Sequence, residues 1–325
     1  AYAEHWVEQQ YLPTALQGEV FWQPGQLGWE GERRERVAER RAAQLAAAAE
    51  LAADQPLLLS SGPERPGVDR WVQRQLGQEG ERLQRLRERL WREIPWTRRD
   101  RVLLLGMRSL IWALDPLRAA PEGGVTVLCE NEADRSRLEA QMDLLEPEHR
   151  PDLLTGSLDA LPLSQAFDWI GGRLAAADLQ GQNWTKLLEA INQHAEPTTG
   201  LRLLISRAEL GPAGALLQDG DPTELFSDLV AQEQQWLERQ QRPDELLKNA
   251  GWQLRCEEWL EHLTLPGGTE LAERWLTEGS PYRQAMGEIS MDVMKELRRS
   301  LNSLGEGGLR LPMRHQLITG ERNTP

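Results

Sequence analysis

Cysteine, lysine and long apolar runs are all scarce in this 325-residue chain. The two cysteines, Cys129 and Cys256, lie far apart, which excludes a disulfide scaffold and is typical of a reducing compartment, so we expect a cytoplasmic protein. No apolar run reaches the roughly 18 residues of a membrane-spanning helix, so we expect no membrane partner. No Cys/His cluster has metal-ligand spacing, so we expect no metal; the scattered histidines are His5, His149, His194, His262 and His315.

The first residues, "AYAEHWVEQQ", contain neither an initiator Met nor a basic start followed by an apolar stretch. They therefore do not form a secretory signal peptide. We expect the chain to be part of a longer protein.

Positive charge is outnumbered, with 37 Lys and Arg against 51 Asp and Glu and a net charge of −14. This balance argues against a surface that binds nucleic acid all round. Residues 81–101, "ERLQRLRERLWREIPWTRRDR", nevertheless hold eight Arg against four acids. The segment is either a solvated helix face with ion pairs four residues apart or a patch that docks DNA or an acidic partner.

Apolar runs alternate with helical patterns from residue 100 onward, which predicts an α/β fold with a mostly parallel sheet covered on both faces. Gly and Pro at 62–67 predict a linker between residues 1–60 and a larger domain over 65–325 whose sheet core spans 100–320. The predicted strands are 101–106, 125–129, 152–155, 167–171, 200–206, 251–264 and 309–319. The predicted helices are 31–53, 69–92, 109–119, 132–145, 182–195, 222–240, 243–250 and 281–303.

The segment "LLGMRSL" after the first predicted strand occupies the place of a cofactor loop, in which glycines let backbone N–H groups approach a ligand. This order of strands, helices and motifs resembles the class I, S-adenosylmethionine-dependent methyltransferases, whose first motif is acid–x–Gly–x–Gly–x–Gly. Gly106 matches the first glycine. Leu104 stands in the place of the acid, and Arg108 and Leu110 stand in the places of the other glycines.

Three later segments extend the resemblance. "VTVLCEN" matches the second motif, so Glu130 takes the place of the acid that binds the cofactor ribose. "LTGSLDALPL" resembles the stretch that meets the adenine, with Ser157 in the place of its acid, and "AFDWIGG" resembles the fourth-strand motif, with Asp168 matching its acid. The resemblance implies a cofactor site made of Gly106, Arg108, Glu130, Ser157 and Asp168.

A second resemblance involves the first 37 residues. The pattern QQYLP–xx–L–x–G–xx–aromatic–x–P–xxx–G–x–E is present as Gln9, Gln10, Tyr11, Leu12, Pro13, Leu16, Gly18, Phe21, Pro24, Gly28 and Glu30. It resembles the end of the C-terminal domain of the RarA/MgsA-type recombination AAA+ ATPases. This implies an upstream ATPase region as partner, a homo-oligomer, and contact with DNA at replication forks, although no G-x-x-x-x-G-K-[ST] motif occurs in this chain.

The chain is therefore interpreted as the C-terminal region of such an ATPase, carrying a methyltransferase-like domain. Because the sheet pattern is complete while the loop glycines are replaced, our first hypothesis is a non-catalytic interaction or regulatory domain in DNA replication and repair. The alternative is an active methyltransferase that uses S-adenosylmethionine through an atypical loop. No catalytic residue is identified for it.

Overall fold

The computed structural model describes residues 81–107, 109–129, 131–142, 145, 147–156, 166–175, 189, 191–218, 224–239, 251–265, 267–304 and 308–322, with isolated helical positions between 30 and 41. The linker at 62–67, the predicted helix at 243–250 and all of the RarA-like motif except Glu30 lie outside these residues. So do Arg108, Glu130 and Ser157.

Seven strands form one sheet, as the sequence predicts, in the order β3-β2-β1-β4-β5-β7-β6. Strands β1 to β5 pair in parallel, while β7 runs antiparallel to both of its neighbours, β5 and β6. The strands are β1 Val102–Leu105, β2 Val125–Cys129, β3 Asp152–Thr155, β4 Phe167–Ala175, β5 Ala195–Ala208, β6 Trp252–Leu265 and β7 Leu309–Arg322. The prediction of a mostly parallel α/β sheet is confirmed.

Eight helices of the described part of the chain are named here, and further helical residues lie at 189, at 191–193 and between 30 and 41. The eight are α1 over 81–91, α2 Leu114–Ala119, α3 Glu132–Met142, α4 Pro212–Gln218, α5 Ser227–Glu238, α6 Thr269–Leu276, α7 Pro281–Met286 and α8 Met291–Ser303. Short 3-10 turns lie at Leu110–Trp112, Pro147–His149 and Glu224–Phe226.

The helix predicted over 281–303 is wrong as a single element, because it divides into α7 and α8. Gly287 ends α7 with a φ of +65°, a left-handed conformation that favours glycine. Ser290 then begins α8 by accepting a hydrogen bond from the backbone N–H of Val293. Helices α4 and α6 were not predicted, and the 3-10 turn replaces the first residues of the predicted helix at 109–119.

The core follows from the strand sequences, since β1 is an uninterrupted apolar run and both of its faces are buried. Helix α1 covers one face, which we call the α1 face, by packing Leu86 and Leu90 with Val102 and Leu104. The opposite face buries Leu103 and Leu105 together with residues of β4 and β5. A third cluster joins α4 to α8 with the ends of β6 and β7 at Leu265 and Leu309, and we call these five helices the helical cap.

Candidate functional site

The carboxyl ends of β1 and β4 meet at the point where the chain changes direction across the sheet. From β1 the chain continues to β2 and β3 on one side, and it then crosses to β4 and β5 on the other. In open α/β sheets, ligands bind in the crevice beyond the strand ends at such a switch point. The loop that follows β1 is therefore the first place to look for a ligand site.

Gly106 begins this loop and is required by the packing of the protein itself. Its φ is +64°, and a Cβ atom there would lie 2.4 Å from Leu174 Cδ2 and 2.7 Å from the carbonyl oxygen of Arg173. Both neighbours belong to β4, so the glycine allows the loop to cross close to that strand. Its match to the methyltransferase motif has a structural explanation that needs no cofactor.

The rest of the described loop is filled by its own side chains. Met107 is 2% exposed, and Leu110, Ile111 and Trp112 are buried at 1% or less. The backbone N–H of Leu110 donates to Gln141 Oε1 of α3 at 2.8 Å, and the N–H of Ile111 donates to Ser109 Oγ at 3.3 Å. The backbone donor of Leu110, which stands in the place of a motif glycine, therefore already has a partner within the chain.

Two tryptophans, Trp91 and Trp112, make further contacts that hold the loop after β1 against α1 and β4. The Arg173 guanidinium carbon of β4 lies 5.3 Å from the ring centre of Trp112, a cation–π distance. Trp91 of α1 donates its indole N–H to the Trp112 carbonyl at 3.0 Å, which ties α1 to the loop. The described part of the loop therefore does not fit S-adenosylmethionine in the way that the methyltransferase motif implies. Its apolar side chains are buried and the backbone N–H of Leu110 is already bonded.

Asp168 lies at the wrong edge of the sheet for the role that its motif implies. It is the second residue of β4, and its carboxylate accepts the backbone N–H of Arg101, which precedes β1, at 2.7 Å. Both residues are at the amino ends of parallel strands, opposite the edge where Gly106 lies. Asp168 and Gly106 therefore lie at opposite edges of the sheet, because β4 continues to Ala175 before it reaches the carboxyl edge.

The predicted ribose-binding position follows directly after β2, whose last residue, Cys129, is fully buried. Burial raises the pKa of the Cys129 thiol to about 11, with a smaller contribution from nearby Asp134. Asn131 and Asp134 then form a closed pair at the start of α3: the Asn131 amide donates to Asp134 at 2.8 Å, and the Asp134 N–H donates to Asn131 Oδ1 at 2.9 Å. Glu130, between Cys129 and Asn131, is outside the described residues, as are Arg108 and Ser157.

The arginine-rich segment 81–101 has most of its charges matched by acids. The pairs in the structure are Arg87–Asp115, Arg92–Glu257, Arg98–Glu122, Arg99–Glu122 and Arg101–Asp168. The two arginines on Glu122 hold the pKa of that carboxyl below its ordinary value. Arg85 is exposed, while Arg89 lies over the ring of Trp259 with its guanidinium carbon 4.2 Å from the ring centre. Five of the eight arginines therefore have acidic partners, although Arg82 and Arg87 are buried and none of these five pairs joins residues four apart.

A buried carboxylate in the helical cap was missed by the sequence analysis. Glu233 of α5 is 1% exposed and accepts the backbone N–H groups of Ala213 and Gly214 at the start of α4, each at 2.9 Å. It also accepts the hydroxyl of Tyr282 of α7 at 2.5 Å. Burial raises the pKa of Glu233, although these three donors favour the charged form. The carboxylate therefore joins three helices of the cap, and nothing in its local sequence "AQEQQW" signals this role.

Two further searches cover the described residues only. No group of three or more His, Cys, Asp and Glu side chains there could hold a metal ion. None of the helices described is both long and apolar enough to cross a membrane.

The strand order, with one antiparallel strand inserted between β5 and β6, now identifies the architecture. It is the Rossmann-like methyltransferase fold. No protein-family model matches the chain, and neither does any curated protein sequence. The likeness to solved structures is at the level of this fold, and the strand order itself carries the assignment.

The solved structures similar to this chain include proteins described as methyltransferases. A proposed methyltransferase from Bacillus halodurans is 13% identical, with 75% of this chain and 100% of that chain covered at a TM-score of 0.46. A proposed sarcosine dimethylglycine methyltransferase from Galdieria sulphuraria is also 13% identical, with 86% and 99% covered and a TM-score of 0.46. A complex of Haloferax volcanii Trm112, a methyltransferase activator, with a proposed methyltransferase gives 17% identity, 79% and 96% coverage and a TM-score of 0.41.

Proposed function

We propose that this chain uses the methyltransferase fold as a non-catalytic interaction or regulatory domain. The observation that carries the proposal is the closed first loop, in which Leu110 and Trp112 are buried and two backbone donors are bonded within the chain. A cofactor that bound there as the motif implies would have to displace buried apolar side chains and break these hydrogen bonds. Both steps oppose binding.

The alternative is a methyltransferase with an atypical loop, and Glu130 is the residue that still supports it. Asp168, its other support, lies at the opposite edge of the sheet. If the alternative were correct, the loop would open when S-adenosylmethionine binds and Glu130 would bind the ribose. The two hypotheses differ in whether the purified chain binds the cofactor at all.

Isothermal titration with S-adenosylmethionine and S-adenosylhomocysteine tests the proposal. We expect no heat of binding for either compound up to about millimolar concentration, which corresponds to less than about 4 kcal/mol of binding free energy. Binding in the micromolar range that is weakened by Glu130→Ala and unchanged by Asp168→Asn would overturn it. That result would assign the cofactor site to the carboxyl edge of the sheet and support the alternative, an active methyltransferase.

The partner in this proposal is the upstream ATPase region of a RarA-type protein, which the motif at residues 9–30 supports. That partner, homo-oligomer formation and work at replication forks are part of the same proposal. Because five arginines of 81–101 are paired with acids, we propose a protein partner ahead of DNA. A DNA affinity that falls steeply with salt and is lost in Arg85→Glu, but not in the already paired Arg98→Glu, would reverse that order.

A further inference from the structure

Strand β6 lies at the end of the sheet, so one of its two edges has no strand beside it in the described part of the chain. Its inner edge pairs with β7 over all 14 residues without a shift in register. Every second residue of such a strand directs its backbone N–H and C=O toward the outer edge. Because β6 contains neither a proline nor a bulge, which commonly block an edge, it is a regular template for a further strand.

The side chains of β6 are exposed along the middle of the strand, on the α1 face and on the opposite face. The exposed residues are Gln253, Arg255, Cys256, Glu257, Glu258, Leu260 and His262. Among the apolar residues of β6, Leu260 is 50% exposed, whereas Trp252 and Leu265 at the two ends are buried. A strand that paired with this edge would cover Leu260, and the apolar area removed from water would favour the pairing.

Four charged residues restrict how two copies of β6 can pair. In an antiparallel pair about a two-fold axis, the residue on the axis faces its own copy, and residues equally far to either side face each other. An axis at Glu257, Glu258 or Glu261 would place two identical carboxylates directly opposite each other. An axis at Arg255 would do the same with two guanidinium groups. An axis at Trp259 would set Glu257 against Glu261 twice, and like charges directly opposite are destabilising.

An axis at Leu260 places no like charges opposite each other and gives the longest overlap of the axes that avoid them. Residues 255–265 of each copy then pair, and the two Leu260 side chains face each other. Glu258 faces His262 of the second copy on both sides of the axis, which sets a carboxylate against a side chain that can donate a hydrogen bond. An axis at Cys256 also avoids like charges, but only residues 252–260 overlap.

We propose that the outer edge of β6 binds a second copy of this chain, with the two β6 strands antiparallel about an axis at Leu260. The pairing buries Leu260, satisfies the outward backbone groups and makes one sheet that runs through both copies. This interface goes beyond the proposed function, because it depends neither on the RarA-like region nor on whether S-adenosylmethionine binds.

Sedimentation velocity of the full chain over a range of protein concentrations measures the association. We expect a monomer–dimer equilibrium that Leu260→Asp shifts about tenfold or more toward the monomer, because it sets two carboxylates against each other on the axis and removes the apolar contact. Met291→Asp is the matched control, since Met291 is 85% exposed on α8, outside β6, and its substitution should leave the dimer intact.

Two outcomes of this measurement would overturn the proposal. One is a monomer at every concentration up to about 1 mM, the weakest association that such a measurement follows. The other is an oligomer that Leu260→Asp leaves intact. That oligomer would use another surface, so homo-oligomer formation through the RarA-like region would still stand.

Disulfide cross-linking tests the register itself. With the axis at Leu260, Thr264 faces Cys256 of the second copy, and antiparallel partners lie about 4.5–5.5 Å apart between Cα atoms, within the reach of a disulfide. Cys256 is exposed, so Thr264→Cys should form a covalent dimer when a mild oxidant is added, and a further Cys256→Ser substitution should abolish it. The unsubstituted chain should form none, since this axis keeps the two Cys256 residues apart. No cross-link in Thr264→Cys, or one in the unsubstituted chain, would overturn the register.

Discussion

The hydroxyl of Tyr282 offers the sharpest test of how the helical cap is held together. Tyr282→Phe removes one donor from the buried Glu233 carboxylate while the ring keeps its packing with Trp236. A hydrogen bond to a charged group contributes about 1.5–3 kcal/mol, so we expect the free energy of unfolding to fall by about 2 kcal/mol at a pH above the raised pKa of Glu233. Urea unfolding followed by circular dichroism measures the loss.

The effect of Tyr282→Phe should depend on pH in a defined direction. The pKa of Glu233 is raised above 4.5 in the folded protein, so the folded state holds this proton more tightly than the unfolded chain does. The contribution of Glu233 to stability is therefore most favourable at acidic pH, and it is lost as the pH rises from 4.5 through the raised value. Because the Tyr282 bond lowers the pKa of Glu233, its removal should raise that pKa further and deepen the loss.

Below the pKa of Glu233 the same hydroxyl bonds a neutral carboxyl group. The destabilisation by Tyr282→Phe should then shrink to about 1 kcal/mol, the size of a bond between neutral groups. In a Glu233→Gln background the tyrosine substitution should have this smaller effect at every pH. A loss below about 0.5 kcal/mol above the pKa of Glu233, or one that does not change with pH, would refute the reasoning.

Two further predictions concern the edge where the candidate site lies. Gly106→Ala should lower the free energy of unfolding by about 2–4 kcal/mol, because the left-handed backbone is strained and the new Cβ overlaps β4. Gly124→Ala is the control: its φ is +91° but no atom lies within 4 Å of the new Cβ, so it should cost only about 1 kcal/mol. Equal shifts in melting temperature for the two variants would contradict the close approach to β4. Thiol titration at about pH 8 should modify exposed Cys256 rapidly and leave Cys129 protected, because burial raises the pKa of the Cys129 thiol to about 11. Rapid reaction of both thiols in the native protein would contradict the buried position of Cys129.

Much of the sheet could be predicted because its strands are apolar runs bounded by glycine, proline and charged residues. Strands β2 and β3 begin and end at the predicted residues 125–129 and 152–155. Strands β4 and β5 extend beyond the prediction, since Arg173 and the polar start of β5 do not look like core. Pairing along the sheet holds such residues in strands, and local composition does not report it.

The candidate site was less predictable, because a motif match names residues without placing them. Gly106 was found from its position after β1. The reason that a glycine is required there is the close approach of β4, whose residues lie more than 60 positions later in the chain. Asp168 matched a motif and lies at the amino edge, since the extent of β4 decides which end of the sheet its residues reach. Gln141 accepts the hydrogen bond of the Leu110 backbone N–H in the loop, yet in the sequence it looked like an ordinary polar helix residue.

The amino-acid sequence by itself determined the α/β class, the number of strands and most of their positions, because the period and length of apolar runs depend on local burial alone. Tertiary structure decided that the loop after β1 is closed, that Asp168 binds Arg101, and that His315 meets Arg89 through Trp259. Each of these depends on side chains distant in sequence that are brought together by strand order and register. Such contacts leave no periodic signal along the chain, so only the folded arrangement reveals them.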